Sequence, residues 1–151
     1  METKKQNVVI SNSFKQTFEF GKRAAAFLKG DDIVVLSGDL GAGKTSFTKG
    51  IASGLGIKTQ VTSPTFAIFI KHEGQNLGLV HIDAYRLKNG DEAMEIGLDE
   101  YFCGQNSVCV IEWGQIIADL LSNYDTINIK IKNLGEDKRE IWYDKGQLFG
   151  D

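Results

Sequence analysis

The chain of 151 residues contains only one proline, two cysteines and two histidines. Cys103 and Cys109 match neither a metal-ligand pair nor a C-x-x-C redox pair, and their apolar neighbours predict two buried free thiols. No segment approaches the ~18 apolar residues of a membrane span, and nothing near Met1 is typical of a secretory signal. A net charge of −3 is too small to indicate a general nucleic-acid-binding surface. We therefore expect a cytoplasmic protein with no membrane association.

Hydrophobic periodicity predicts strands that alternate with helices. The continuous apolar runs 33–36 and 108–111 are typical of strands buried on both faces of a parallel sheet. Further strands are predicted at 8–10, 66–70, 77–82, 127–131 and 141–143, and helices from a Ser13 cap to Gly30, over 47–55, after Asn89 or Asp91, and over 116–121. The pattern predicts a single α/β domain over residues 1–151, and the glycine-rich segment 38–45 after its second predicted strand makes it similar to phosphate-loop NTPases. Its sheet is mixed and mostly parallel, with helices on both faces and antiparallel strands at the edge.

A glycine-rich loop carries the most specific chemical signal. Gly38–Thr45 matches G-x-x-x-x-G-K-[S/T] at every fixed position, after a predicted strand and before a predicted helix. Glycines let backbone N–H groups surround a phosphate, and the helix N-terminus adds partial positive charge. We predict that Lys44 reaches the β- and γ-phosphates and that the Thr45 hydroxyl binds Mg²⁺. The predicted nucleotide-binding residues of this segment are Gly38, Asp39, Leu40, Gly41, Ala42, Gly43, Lys44, Thr45 and Ser46.

Two carboxylates follow buried strands and are candidates for the magnesium site. Asp83 ends the run 77–82 and Glu112 ends the run 108–111. Because the carboxyl ends of parallel strands meet at the ligand crevice, both side chains can face the phosphates. Lys44, Asp83 and Glu112 are the predicted catalytic residues, and Thr45, Asp83 and Glu112 the predicted metal ligands. Which carboxylate binds Mg²⁺ directly and which positions water stays open.

Three further observations concern the nucleotide and its surroundings. Thr65, in Ser-Pro-Thr-Phe at 63–66, is a candidate for sensing the γ-phosphate. His81 is expected to pack or hydrogen-bond beside Asp83. The guanine motif Asn-Lys-x-Asp is absent from the sequence, as is Asp-x-x-Gly. This absence favours ATP over GTP as the nucleotide.

Five short segments, in one order, resemble a known family. They are Gly-Asp-Leu-Gly-Ala-Gly-Lys-Thr at 38–45, Ser-Pro-Thr-Phe at 63–66, His-Ile-Asp-Ala-Tyr-Arg at 81–86, Gly-Leu-Asp-Glu-Tyr-Phe at 97–102 and Ile-Glu-Trp at 111–113. The phosphate loop is common to many families, whereas the whole set in this order is much more specific. On these segments the sequence resembles the TsaE (formerly YjeE) family, small bacterial ATPases needed to make threonylcarbamoyladenosine in transfer RNA.

The resemblance implies a Mg²⁺-dependent ATPase of low intrinsic activity that depends on its partners. It implies that Trp113 lies beside the nucleotide and that the adenine lies towards the N-terminal segment and the C-terminal strands, which points to Ser13 and Arg139. It further implies that the partner proteins TsaD and TsaB carry out the transfer reaction. ATP hydrolysis would reset their complex, and transfer RNA would be reached only through it.

Two other functions remain open on the sequence. A small-molecule kinase would use the same loop to transfer the phosphoryl group to a hydroxyl, although no arginine-rich lid segment is evident. A regulatory module would bind the nucleotide without meaningful hydrolysis.

Overall fold

The computed structural model describes residues 7–39, 43–62, 64, 67–146 and 148–149. The predicted nucleotide-binding residues Leu40, Gly41, Ala42 and Thr65 lie outside the described residues. The strands are β1 Asn7–Ser11, β2 Ile33–Gly38, β3 Phe69–His72, β4 Gly78–Asp83, β5 Ser107–Glu112, β6 Thr126–Gly135 and β7 Lys138–Tyr143. The helices are α1 Phe14–Ala25, α2 Lys44–Gly54, α3 Gly90–Glu95 and α4 Ala118–Leu121, with short 3₁₀ helices at Leu98–Tyr101 and Gly114–Ile117.

All seven of these strands form one mixed sheet in the order β1-β7-β6-β2-β5-β4-β3. The central strands β6, β2, β5 and β4 are parallel, whereas β3 and the β1–β7 and β7–β6 pairs are antiparallel. The predicted fold class is therefore confirmed: a mostly parallel core with antiparallel strands at its edges. β2 lies between β5 and β6, so the segment after its carboxyl end opens onto the centre of the sheet.

Each face of the sheet is covered by its own helices. On one face Val34 and Leu36 of β2 join a buried cluster with α1, α2 and the C-terminal residues Leu148 and Phe149. On the other face Ile33 joins a buried cluster with α3, α4 and the 3₁₀ helices. Alternate residues of β2 thus point to opposite sides, and both sides are apolar, which is why the run reads as continuously hydrophobic.

Helices α1 and α2 cross with almost no space between their backbones. A Cβ atom at Gly50 would lie 2.0 Å from the carbonyl oxygen of Phe18, and one at Gly21 would lie 2.1 Å from that of Phe47. Only glycine is compatible with this approach. The crossing holds α2, and with it the end of the phosphate loop, against the sheet.

Most predicted helices and strands are confirmed, although several of their boundaries differ. Ser13 caps α1 by accepting a hydrogen bond from the Gln16 amide at 3.0 Å, as predicted, and Asn89 rather than Asp91 caps α3. The strand predicted from residue 66 begins at Phe69 instead, because the amides of residues 67 and 68 both bond the carbonyl of Pro64 in a turn. Helix α1 ends at Ala25, before the predicted stop at Gly30.

The prediction of two buried thiols is half wrong. Cys109 is buried in β5, but Cys103 is exposed. Cys103 lies just beyond a 3₁₀ helix, where the apolar neighbour Phe102 turns into the core and the thiol faces outward. Within the described part of the chain, no helix combines the length and apolar character needed to cross a membrane.

Candidate nucleotide-binding site

The phosphate-loop segment joins the end of β2 to the start of α2. Gly43 precedes the helix with φ of 101°, a left-handed conformation that disfavours any side chain, and its carbonyl accepts the first helical hydrogen bond, from Phe47, at 3.0 Å. The helix then begins at Lys44, followed by the exposed Thr45 and the half-buried Ser46. Gly38 ends β2, and Asp39 after it is exposed. The described ends of the segment therefore have the strand–loop–helix context that the motif requires.

Lys44 lies at the centre of the site. Its Nζ atom is 3.8 Å from Oε1 of Glu112 and 5.1 Å from the ring centroid of Trp113. The Lys44 side chain is 11% exposed, so its charge is largely removed from water and is balanced by the carboxylate. The lysine predicted to reach the phosphates thus sits beside one predicted carboxylate and the predicted aromatic residue.

The two candidate carboxylates are neighbours at the end of the sheet. Asp83 is paired with Glu112 in the parallel register of β4 and β5, so both side chains project from the same face. Each residue is only 6% exposed. Asp83 Oδ1 accepts a hydrogen bond from the Tyr85 amide at 3.0 Å, which fixes its orientation. The structure therefore brings both predicted acidic residues to the edge where α2 begins.

Glu112 has a second partner that the sequence interpretation placed elsewhere. Nε2 of His81 lies 2.7 Å from Oε2 of Glu112, so the histidine bonds the carboxylate of the neighbouring strand rather than one beside it on its own strand. His81 is 1% exposed. The two oxygens of Glu112 thus face different partners, Lys44 and His81, and its orientation is held from both sides.

The residues around Lys44 suit a magnesium ion that shares its ligands with phosphate. Mg²⁺ prefers hard oxygen ligands and is commonly bound by one or two carboxylates together with substrate phosphates. Glu112, Asp83 and the Thr45 hydroxyl supply oxygen ligands of this kind. No cluster of three or more His, Cys, Asp and Glu side chains able to hold a metal occurs among the described residues, and a site completed by phosphates needs none.

Trp113 and Tyr85 form an aromatic wall next to Lys44. Their ring centroids are 5.1 Å apart with an interplanar angle of 53°. Trp113 has φ of 60°, a conformation uncommon for a bulky residue, and it follows Glu112 directly at the end of β5. The left-handed backbone turns the indole across the end of the sheet. Tyr85, which is 57% exposed, belongs to the segment 81–86 of the family resemblance but was not predicted from the sequence to be a site residue.

Ser13 and Arg139, the two residues predicted to lie near the adenine, occupy one corner beside Gly43. Arg139 is 2% exposed, and its Nη1 donates to the Glu136 carbonyl at 2.7 Å, tying the β6–β7 turn together. Its Cζ lies 4.9 Å from the Phe14 ring centroid, next to Ser13. A Cβ atom at Gly43 would lie 3.9 Å from Arg139 Nε, so the arginine adjoins the phosphate loop. The Ser13 hydroxyl is already engaged in capping α1.

The pairing of His81 with Glu112 could have been predicted from the sequence by counting register. It lies two residues before Asp83, and its partner Val110 lies two before Glu112, so all four share one face. Counting residues along β4 and β5 therefore places the His81 imidazole on the same face as the Glu112 carboxylate. Tyr85 carries no such signal, because its position depends on the turn after β4.

Comparisons with known proteins agree on one family. The model of the family described as threonylcarbamoyl adenosine biosynthesis protein TsaE matches residues 11–141. The tRNA threonylcarbamoyladenosine biosynthesis protein TsaE of Bacillus subtilis is 47% identical over 85% of this chain and 79% of its own length. The protein of the same name from Treponema pallidum is 42% identical over 87% of this chain and 96% of its own. The crystal structure of Bacillus subtilis YdiB superposes with a TM-score of 0.76 at 39% identity, covering 95% of this chain and 87% of that one.

Proposed function

The chain belongs to the TsaE family, and on that premise we propose that it binds and hydrolyses ATP as a component of the machinery that makes N6-threonylcarbamoyladenosine in transfer RNA. The family's place in that biosynthesis and the phosphate-loop fold define the general role. The ATPase activity, its dependence on Mg²⁺ and its partners are the proposed part.

The single observation that carries the proposal is the position of Lys44 at the start of α2, 3.8 Å from Glu112. The helix N-terminus, with its unpaired amides and partial positive charge, favours an anion. Lys44 would bind the β- and γ-phosphates and stabilise the charge that develops during phosphoryl transfer. Glu112 and Asp83 are the groups able to accept a proton from an attacking water or to orient it.

Mg²⁺ would be held by Thr45 together with one of the two carboxylates. When bound, the ion neutralises charge on the β- and γ-phosphate oxygens. Because Glu112 is held by Lys44 and His81, its oxygens are already oriented. Trp113 and Tyr85 would shield this end of the nucleotide from water, and Ser13 and Arg139 would lie towards its base. Thr65 is proposed to sense the γ-phosphate.

The proposed partners are the proteins TsaD and TsaB. In this proposal they perform the transfer to adenosine, and nucleotide binding and hydrolysis by this chain reset their complex, so that transfer RNA is reached only indirectly. The chain would act in the cytoplasm with low hydrolytic activity of its own.

The nucleotide site is tested with Lys44→Ala against Lys49→Ala, a second lysine of α2 that is exposed. Titration calorimetry with a non-hydrolysable ATP analogue and Mg²⁺ should detect binding to wild type and to Lys49→Ala only. Equal affinity in Lys44→Ala would refute the site. Repeating the titration with EDTA measures the contribution of Mg²⁺, and no change in affinity would contradict the metal assignment.

The partner assignment needs a second experiment. Purified TsaD–TsaB is expected to bind the chain only with ATP and to raise phosphate release. The same Lys44→Ala variant should show neither effect. Binding that ignores nucleotide would contradict the proposed cycle. Transfer of phosphate to a small-molecule acceptor instead of water would favour the kinase.

A further inference from the structure

The only two histidines of the chain are both buried on the α2-facing side of the sheet. His81 of β4 is 1% exposed and His72 of β3 is 6% exposed. In the antiparallel β3–β4 register His72 is paired with Leu79 and His81 with Ile70, so the histidines are diagonal neighbours on one face. Leu79 belongs to the cluster that packs under α1 and α2, which identifies that face.

Each imidazole has one nitrogen engaged and the other without a partner. Nδ1 of His72 lies 2.8 Å from the Thr59 hydroxyl, and Nε2 of His81 lies 2.7 Å from Glu112. Among the described residues, His72 Nε2 and His81 Nδ1 are buried with no hydrogen-bond partner. Leaving two such groups unsatisfied costs about 1–3 kcal/mol each. Buried polar groups in this situation are commonly joined by an internal water.

We propose that one buried water joins Nε2 of His72 to Nδ1 of His81, so that Thr59, His72 and His81 form a hydrogen-bonded chain that positions Glu112. The inference rests on the proposed function, because Glu112 is the carboxylate assigned there to the reaction. His72 and His81 are positioning residues, since neither reaches the phosphates itself.

The directions of the hydrogen bonds are consistent along the whole chain. The Thr59 hydroxyl donates to His72 Nδ1, and His72 Nε2–H donates to the water. The water donates to His81 Nδ1, and His81 Nε2–H donates to Glu112. Both imidazoles are then satisfied as neutral rings, with the proton on Nε2 in each. Burial, and to a lesser extent His81, lower the pKa of His72, in agreement with a neutral ring there.

The hydrogen-bonded chain of Thr59, His72 and His81 would connect the segment after α2 to the carboxylate beside the nucleotide phosphates. Thr59 lies in the segment after α2, four residues before the Ser-Pro-Thr-Phe segment proposed to sense the γ-phosphate. Glu112 lies beside Lys44 at the phosphates. Movement of the segment that carries Thr59 would therefore change the support of Glu112 through two rigidly held rings, without contact between Thr59 and the nucleotide.

The first test reads the protons directly and needs no enzyme activity. Because the chain has two histidines, ¹⁵N labelling of the imidazoles gives two sets of NMR signals. The set that is missing from the spectrum of His72→Gln belongs to His72. Both rings are expected to carry the proton on Nε2. A ring of His72 protonated on Nδ1 would reverse the first hydrogen bond and overturn the proposal. A crystal structure should show one water bonded to both nitrogens, and a dry gap there would also overturn it.

The second test measures whether the support of Glu112 affects turnover. His81→Leu is expected to lower kcat by about 10–100-fold, the usual effect of losing a group that orients a ligand or catalytic carboxylate, with little change in KM for ATP. His81→Gln, whose amide can donate to Glu112, should recover much of the loss. Thr59→Val, which removes the hydroxyl, should also lower kcat. Thr59→Ser, which keeps the hydroxyl, should have a kcat close to that of the wild type.

A double-mutant comparison separates positioning from general damage. In a Glu112→Gln background, His81→Leu should cause little further loss of kcat, because the carboxylate that His81 positions is already absent. The matched control is Lys71→Gln, at an exposed position of β3 directly before His72, and its kcat should equal that of the wild type. Independent, multiplying effects of His81→Leu and Glu112→Gln would overturn the positioning role. If wild type hydrolyses no ATP with its partners, the proposed function fails, whereas the imidazole spectra still decide the hydrogen-bonded chain.

Discussion

The close crossing of α1 and α2 allows a quantitative prediction at Gly50. An alanine there would place its Cβ 2.0 Å from the Phe18 carbonyl oxygen and 2.9 Å from the Lys22 amide nitrogen. Both atoms belong to the backbone of α1, so no side-chain rotation can relieve the contact. One helix must move away from the other, and the buried cluster beneath them must open with it.

The magnitude follows from two opposing effects. Overpacking a buried position costs about 1–3 kcal/mol, and the backbone character of the clash favours the upper end. Replacing a helical glycine by alanine returns about 1 kcal/mol through helix propensity. The expected net loss in the free energy of unfolding is therefore about 2 kcal/mol, which corresponds to a fall in Tm of roughly 4–8 °C for a domain of this size.

Urea unfolding followed by circular dichroism measures this loss for Gly50→Ala. The control is Gly146→Ala, because Gly146 has no atom within 4 Å of a Cβ position and no positive φ. The control should change the free energy of unfolding by less than about 0.5 kcal/mol. A Gly50→Ala protein as stable as wild type would refute the close crossing. Weaker nucleotide binding should accompany the loss, since α2 carries Lys44.

Two further predictions concern the C-terminal residues and the thiols. Phe149 is 4% exposed and packs against Phe20, Phe47 and Tyr143, so Phe149→Ala should lower the free energy of unfolding in urea by about 3–5 kcal/mol. The control Phe27→Ala, at a 40% exposed position, should lower it by less than about 1 kcal/mol. Equal losses in the two variants would contradict the packing of Phe149. One thiol per folded chain, that of Cys103, should react with an alkylating reagent, and both should react in denaturant. Burial and then Asp31 raise the pKa of Cys103, so its reaction should be slow near neutral pH, accelerate as pH rises, and be faster in Asp31→Asn; a rate independent of pH would contradict this.

Local patterns were sufficient to predict the order of strands and helices. Runs such as 33–36 and 108–111 are apolar at every position because both faces of the central strands are covered by helices. The start of β3 could not be predicted in this way. Residues 67 and 68 are apolar, yet both amides bond the Pro64 carbonyl, and this turn, rather than hydrophobicity, sets where pairing with β4 begins.

The candidate site was predictable to the extent that sheet register determines it. Asp83 and Glu112 follow adjacent parallel strands, and their pairing in one register brings them together. The exposure of Cys103 and the tilted ring contact between Tyr85 and Trp113 were not predictable, because both depend on the path of a turn. Whether a thiol is buried depends on the direction in which the local backbone points its side chain, and apolar neighbours in the sequence do not determine that direction.

Backbone strain next to each carboxylate supports the view that this edge of the sheet is built for its position. Ile68 has φ of 68°, a conformation that a β-branched residue rarely adopts, and its carbonyl accepts a 2.7 Å hydrogen bond from the Asp83 amide. Trp113, with φ of 60°, follows Glu112 directly. Such residues cost on the order of 1–3 kcal/mol each and persist only where the surroundings fix them. The Tyr85 amide orients the Asp83 side chain and the Ile68 carbonyl holds the Asp83 backbone, while Glu112 is held by the ion pair with Lys44 together with the bond to His81. The strain therefore lies beside the two carboxylates, where the surrounding contacts hold the side chains in place.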